Sequence, residues 1–223
     1  LAFSTNAFTR ISLPEALEII RSLGYEGAEL MADRPHLWPG DVTDEELTRI
    51  RARAEALDLT LCNINAFMMK AVRDIHHPSW IEDSEEERAQ RRAHTLASLH
   101  LAKKLGVPSI STEPGGPLEG MDRDRAETLF AEGLAAVAAE AEALDVRLLV
   151  EPEPDLLFEG MEETVAFLDR CGLPATGINF DAGHFFCIGK AAARDGCTLV
   201  DKLAQALGHL QLAIHRSRER SAA

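Results

Sequence analysis

Glu151, Asp181 and His184 are the residues whose types and spacing could do chemistry together. Glu151 follows the apolar run Arg147-Leu148-Leu149-Val150, and Asp181 follows Thr176-Gly177-Ile178-Asn179-Phe180, with His184 three positions further on. Each run reads as a short buried strand that delivers an ionisable group as its apolar character stops. A helix-length stretch separates the two, so they should lie parallel, and helical crossovers bring their carboxyl ends to one rim. Two carboxylates and an imidazole there suit a divalent cation or an acid/base pair. Local roles compete: Glu151 before Pro152 could cap a helix, and Asp181 before Gly183 could form a turn. Recurrence at matching strand ends favours a shared site.

The elements that must position these groups alternate along the whole chain. Strands are expected at Ala2–Asn6, Gly27–Leu30, Leu59–Asn65, Ser109–Thr112, Arg147–Val150, Thr176–Phe180 and His209–Leu212. Helices open on the capping boxes Ser12/Glu15, Thr43/Glu46 and Ser84/Glu87, in which a hydroxyl and a carboxylate satisfy free amides. Two more are expected near Asp124–Leu144 and Glu162–Arg170, and another at Leu199–Leu207. Seven strand–helix units with crossovers of this length predict a parallel α/β barrel in a single domain. The rival, a doubly wound nucleotide-binding sheet, would carry a Gly-x-Gly-x-x-Gly turn after an early strand, and the turns after Asn6 and Glu29 contain none.

Other strand ends supply Asn6, Glu29, Asn63, Asn65 and Glu113, which in a barrel would face the mouth and recognise substrate hydroxyls. The connection from Ala66 to Asp83 is long and carries Phe67, Met68, Met69, His76, His77, Pro78 and Trp80. It is expected to act as a lid that excludes water, with Trp80 touching substrate. His36-Leu37-Trp38-Pro39 would form another wall, while His94 and His100 fall inside a helix and should be packed or solvated.

Composition bounds the function. The 223 residues carry 23 Lys and Arg against 37 Asp and Glu, a net charge of −14, which opposes a phosphate-tracking, nucleic-acid-binding surface. Cys62, Cys171, Cys187 and Cys197 show no Cys-x-x-Cys spacing, so the thiols are expected to be reduced in a cytoplasmic protein. No apolar run approaches the roughly 20 residues of a membrane span. Self-association into a homo-oligomer stays open.

Glu-Pro after one apolar strand and Asp-x-x-His after another resembles the xylose isomerase-like TIM barrels, the superfamily of sugar-phosphate isomerases and epimerases. The likeness runs from Ser4-Thr5-Asn6 to Gly208-His209-Leu210. It implies a parallel barrel with seven of its eight strands visible, residues 1–223 forming one domain without the final unit. It also implies a divalent cation, Mn²⁺ before Mg²⁺, Co²⁺ or Zn²⁺, held by Glu151 and Asp181. His184 would contact substrate or water beside it, and His209 would contact substrate. Gln211 stands where the family places a histidine ligand, and an amide oxygen is a weaker donor than imidazole. After the seventh strand only Ala213–Ala223 remain, too few for the glutamate of an eighth strand, so the chain reads as a truncation, a frame change near its end or a diverged relative. The implied reaction is proton transfer next to a carbonyl through an enediolate, in a small carbohydrate-like substrate, with Glu151 as one acid/base group. The competing expectations are a metal-free relative that only binds a small ligand, and an endonuclease IV-like phosphodiesterase.

Overall fold

A computed structural model describes residues 1–181, 183, 184 and 188. Among the described residues, six strands form one parallel sheet in sequential order: β1 (Ala2–Ser4), β2 (Gly27–Met31), β3 (Thr60–Asn65), β4 (Ser109–Thr112), β5 (Arg147–Val150) and β6 (Thr176–Ile178). Between them run α1 (Leu13–Ser22), α2 (Asp44–Ala56), α3 (Glu85–Leu105), α4 (Arg123–Leu144) and α5 (Met161–Cys171), and a 3-10 turn (Thr5–Phe8) follows β1. The expected seventh strand, with His209 and Gln211, lies outside the described residues. Among the described residues no helix is long and apolar enough to cross a membrane.

Strand alternation decides what faces where. Ala28, Leu30, Leu61, Ile64, Ile110, Leu148 and Val150 share one buried cluster with Leu17, Ile20, Leu47, Ile50, Leu99, Phe130 and Leu134 of the helices. The intervening positions, among them Glu29, Asn63, Ser109 and Glu151, line a cavity instead. The register pairs Ile64 with Ile110, Ile110 with Leu148, and Val150 with Ile178, so apolar positions fall side by side on the helix-covered face.

Helix ends follow local chemistry. Thr43 and Glu46 form a complete capping box, and the Ser84 hydroxyl accepts from the Glu87 amide. The box expected at Ser12 does not form: Ser12 makes no capping hydrogen bond, and Pro14 near the helix start leaves one fewer amide to satisfy. On α4, Gly133 permits the close approach of Trp80, since a Cβ there would stand 2.7 Å from Trp80 Cε3.

Aromatic packing fixes the loop that carries Glu151. Phe158 lies 4.5 Å from Phe167 and Phe167 stacks on Phe130 at 5.2 Å, between ring centroids. Such pairs add about 0.5–1.5 kcal/mol each beyond burial. The Glu153 amide donates to the Phe158 carbonyl and the Leu157 amide to Gly116, which closes the β5–α5 loop onto the β4 end.

Candidate metal centre

The Glu151 amide donates to the Thr112 carbonyl, extending the β4–β5 ladder one residue past β5 and turning the side chain into the barrel. Asn179 Nδ2 donates to Glu151 Oε2 at 2.7 Å. Burial pushes the Glu151 carboxyl up to about 7, the nearby Glu29 charge adds to this, and the Asn179 hydrogen bond opposes it. Asp181 Oδ1 accepts the amides of Gly183 (2.6 Å) and His184 (3.1 Å), a tight turn that folds the imidazole back over the carboxylate. His184 Nδ1 lies 3.0 Å from the Pro152 carbonyl oxygen. His184 Nε2 stands 3.9 Å from Asp181 Oδ2, and Nδ1 is 4.0 Å from Glu151 Oε1.

One ligand atom from each of Glu151, Asp181 and His184 falls within 4.8 Å of the others. Oxygen and nitrogen donors around one transition ion, each at about 2.0–2.2 Å, lie up to roughly 4.4 Å apart. The donor set therefore fits a divalent cation after a small contraction, and two carboxylates plus an imidazole suit Mn²⁺ or its neighbours. Glu153 is half-buried beside it; burial raises its carboxyl, while His184 and His76 pull it down.

Below these groups lies a cavity of about 560 Å³ lined by Glu29, Asn63, Ser109, Leu149, Asn179 and Asp181, among others. Asn63 is its hub. The amide donates to Glu29 Oε2 (2.9 Å) and Ser111 Oγ (3.1 Å), and Asn63 Oδ1 accepts from Ser109 Oγ (2.7 Å). The Glu29 carboxylate is thus held in the barrel interior with hydrogen-bonding capacity left over.

Several expected site residues are placed elsewhere. Trp80 is 1% exposed in the core, its indole N–H donating to Thr112 Oγ1 at 2.9 Å and its ring against Phe130, so it is not turned to the cavity. Asn65 Oδ1 accepts from the Phe67 amide, capping its own strand end. Asn6 lies in the 3-10 turn with Oδ1 buried and without a partner. Glu113 is fully buried 3.2 Å from Arg91 Nη2. In the Ala66–Asp83 connection, expected to be a lid, residues 66–69 and 77–81 are buried and residues 70 and 72–75 are exposed, and none of them lines the cavity. Arg91 donates to the carbonyls of Ala66, Phe67 and Pro78, and Asp33 accepts the amides of Lys70 and Ala71. His36 and Leu37 are buried too, with His36 Nε2 beside the Ile11 carbonyl, and neither lines the cavity.

Sequence reasoning missed Asn179, Ser109 and Arg91. Asn179 carried a usable signal, because two residues before Asp181 it must share the inward face of an extended chain. Arg91 carried a weaker one: it continues the buried stripe of α3 through Thr95, Ser98 and Ala102 at helical spacing.

A parallel sheet wrapped by helices, with carboxylates and an imidazole at its carboxyl rim, defines an α/β-barrel protein with a candidate metal site. More narrowly, the chain belongs to the xylose isomerase-like TIM barrel family, whose sequence pattern matches residues 17–221. No curated protein matches the sequence. Among solved structures, D-psicose 3-epimerase, determined in the presence of D-fructose, superposes with a TM-score of 0.70 at 18% identity, over 83% of this chain and 64% of that one. An AP endonuclease of family 2 from Brucella melitensis gives 0.62 at 21% identity, over 79% and 66%. The IolI protein with a bound zinc atom gives 0.65 at 15%, over 82% and 63%. The chain thus spans 64% and 66% of the first two. At these identities the likeness is one of fold.

Proposed function

We propose that this protein, acting as one domain over residues 1–223, is a divalent-metal-dependent isomerase or epimerase of a small sugar or related carbonyl compound. The observation that carries the reading is the convergence of Glu151, Asp181 and His184 within 4.8 Å above a polar cavity. The cation would be held by the carboxylates of Glu151 and Asp181, Mn²⁺ fitting this donor set. When bound, it supplies polarisation of a carbonyl and its neighbouring hydroxyl, which acidifies the proton on the hydroxyl-bearing carbon. Glu151 would take and return that proton, its carboxylate held in one orientation by Asn179. Glu29, fixed by Asn63, would accept hydrogen bonds from substrate hydroxyls along the cavity.

The net charge of −14 counts against the endonuclease alternative, because a DNA backbone would be repelled. The metal-free binder remains the second reading, favoured by Gln211 standing in the sequence where a histidine is expected. Calorimetric Mn²⁺ titration of the purified chain, joined to NMR detection of solvent-deuterium exchange into ketohexoses, tests the choice. Stoichiometric binding with Mn²⁺-dependent exchange is expected. Glu151→Gln and Asp181→Asn should each abolish Mn²⁺ binding while leaving the circular dichroism spectrum unchanged. Binding unaltered in both variants would mean the site is elsewhere, and ligand binding without exchange would establish the second reading.

A further inference from the structure

We propose that the substrate carries an amine, and that its ammonium group, remote from the reacting carbonyl, is bound by the Glu29 carboxylate on the inner wall of the barrel. The proposal rests on the reaction proposed above and adds the class of sugar, an amino-deoxy compound in place of a phosphorylated one. Its ground is the direction in which the hydrogen bonds around Glu29 run. Asn63 spends both amide hydrogens, one on Glu29 Oε2 at 2.9 Å and one on Ser111 Oγ at 3.1 Å. Its Oδ1 receives the Ser109 hydroxyl at 2.7 Å, so the single proton of Ser109 is committed as well. Among the described residues Glu29 makes no other hydrogen bond and no ion pair. What this wall offers a ligand is therefore acceptors: Glu29 Oε1 and the remaining lone pair of Ser109.

The cavity runs along the strands. Ala2 and Phe3 of β1 and Ser109 at the start of β4 line it, and so do Glu151 and Asp181 beyond the ends of β5 and β6. A substrate with its carbonyl at Glu151 and Asp181 extends its other end along Glu29, Asn63 and Ser109. Of the described residues lining this space, Glu29, Glu151 and Asp181 carry charge, and none is a lysine or arginine. The Glu29 charge acts on what surrounds it: the Cys62 thiol in the same lining is raised by burial and then by this carboxylate. A half-buried carboxylate is stabilised when an opposite charge enters with the ligand. An ammonium brings that charge and three donors, whereas a hydroxyl brings one donor, and a phosphate brings acceptors and more negative charge.

Open-chain alditols test this without turnover, because they lack the carbonyl. Calorimetric titration of the metal-free chain with 1-amino-1-deoxy-D-sorbitol, D-sorbitol and D-sorbitol 6-phosphate reads the preference directly. Wild type should bind the amino-alditol about 10–100-fold more tightly than D-sorbitol, and the phosphate more weakly than either. Glu29→Gln should bring the amino-alditol and D-sorbitol affinities together. Asp181→Asn should keep the preference, which separates Glu29 from the carboxylates at the rim. Melting by circular dichroism checks that the variants fold, and the wild-type comparison stands by itself should Glu29→Gln not fold. Equal affinities or no binding of the amino-alditol in wild type overturns the proposal, as does a preference that survives Glu29→Gln or vanishes in Asp181→Asn. Mn²⁺-dependent deuterium exchange into ketohexoses beside equal alditol affinities removes the amine and leaves the isomerase reading. Absence of Mn²⁺ binding and of exchange, with the preference intact, removes that reading and leaves an amine-binding site at Glu29.

Discussion

At the scale of single residues, the centre is governed by what surrounds Glu151. If the proposed cation is held there, its carboxyl, raised by burial to about 7, would have to surrender a proton first. Mn²⁺ affinity should therefore fall about tenfold for each pH unit below 7 and level off above it, which titrations from pH 5.5 to 8.5 would measure. Asn179 is the positioning partner. Replacing it with leucine, similar in size but without a donor, should weaken Mn²⁺ binding about 10–100-fold and leave the melting temperature of the metal-free chain nearly unchanged. A purely structural asparagine would give the opposite pattern. The carboxylates and His184 were legible because each follows the end of an apolar run. Trp80 was misplaced because an aromatic residue in a long loop reads equally well as lid or core, and only the hydroxyl of Thr112 shows which one a buried indole N–H has found.

At the scale of elements, the barrel's upper wall depends on α3 more than its loops suggest. Arg91 reaches from the helix to three carbonyls of the β3–α3 connection and to Glu113 at the β4 end. Burial drives the Glu113 carboxyl up to about 8 against the pull of the guanidinium. Arg91→Met would strand the acid and three carbonyls, and should destabilise by about 3–5 kcal/mol in urea unfolding. Adding Glu113→Leu should recover part of that loss, whereas strictly additive effects would show that the two side chains do not interact. Strand order and the bounds of α4 were readable from alternating apolar segments and turn residues, and α4 begins at Arg123 against an expected Asp124. The anchoring of the 66–83 connection was not readable. It depends on a charged helix residue and on Asp33, two distant groups whose backbone hydrogen bonds leave no periodic trace in sequence.

At the scale of the whole molecule, stability and chemistry occupy opposite faces of one sheet. The helix-covered face holds the apolar cluster, and His94 of α3 stacks on Trp38 at 4.9 Å. Burial, with the Arg91 charge adding to it, lowers His94 from its ordinary 6.5 to about 3, so the folded chain keeps it neutral. Since the folded value lies below the unfolded one, this stability is fully present above about 6.5. It is lost as pH falls toward 3, by about 1.4 kcal/mol per unit. His94→Phe keeps a ring against Trp38 and cannot protonate, so its urea midpoint should decline less than wild type between pH 7 and 4. Parallel declines would assign the acid sensitivity to other groups. The inner face contributes little to that apolar reserve, because Glu29, Asn63, Ser109, Ser111 and Glu151 answer chiefly to one another and to whatever enters. Natural variation is consequently free to rewrite the lining of the cylinder without unsettling its shell. One scaffold can then pass from one reaction to another by exchanging a handful of inward side chains, while its outer staves stay the same.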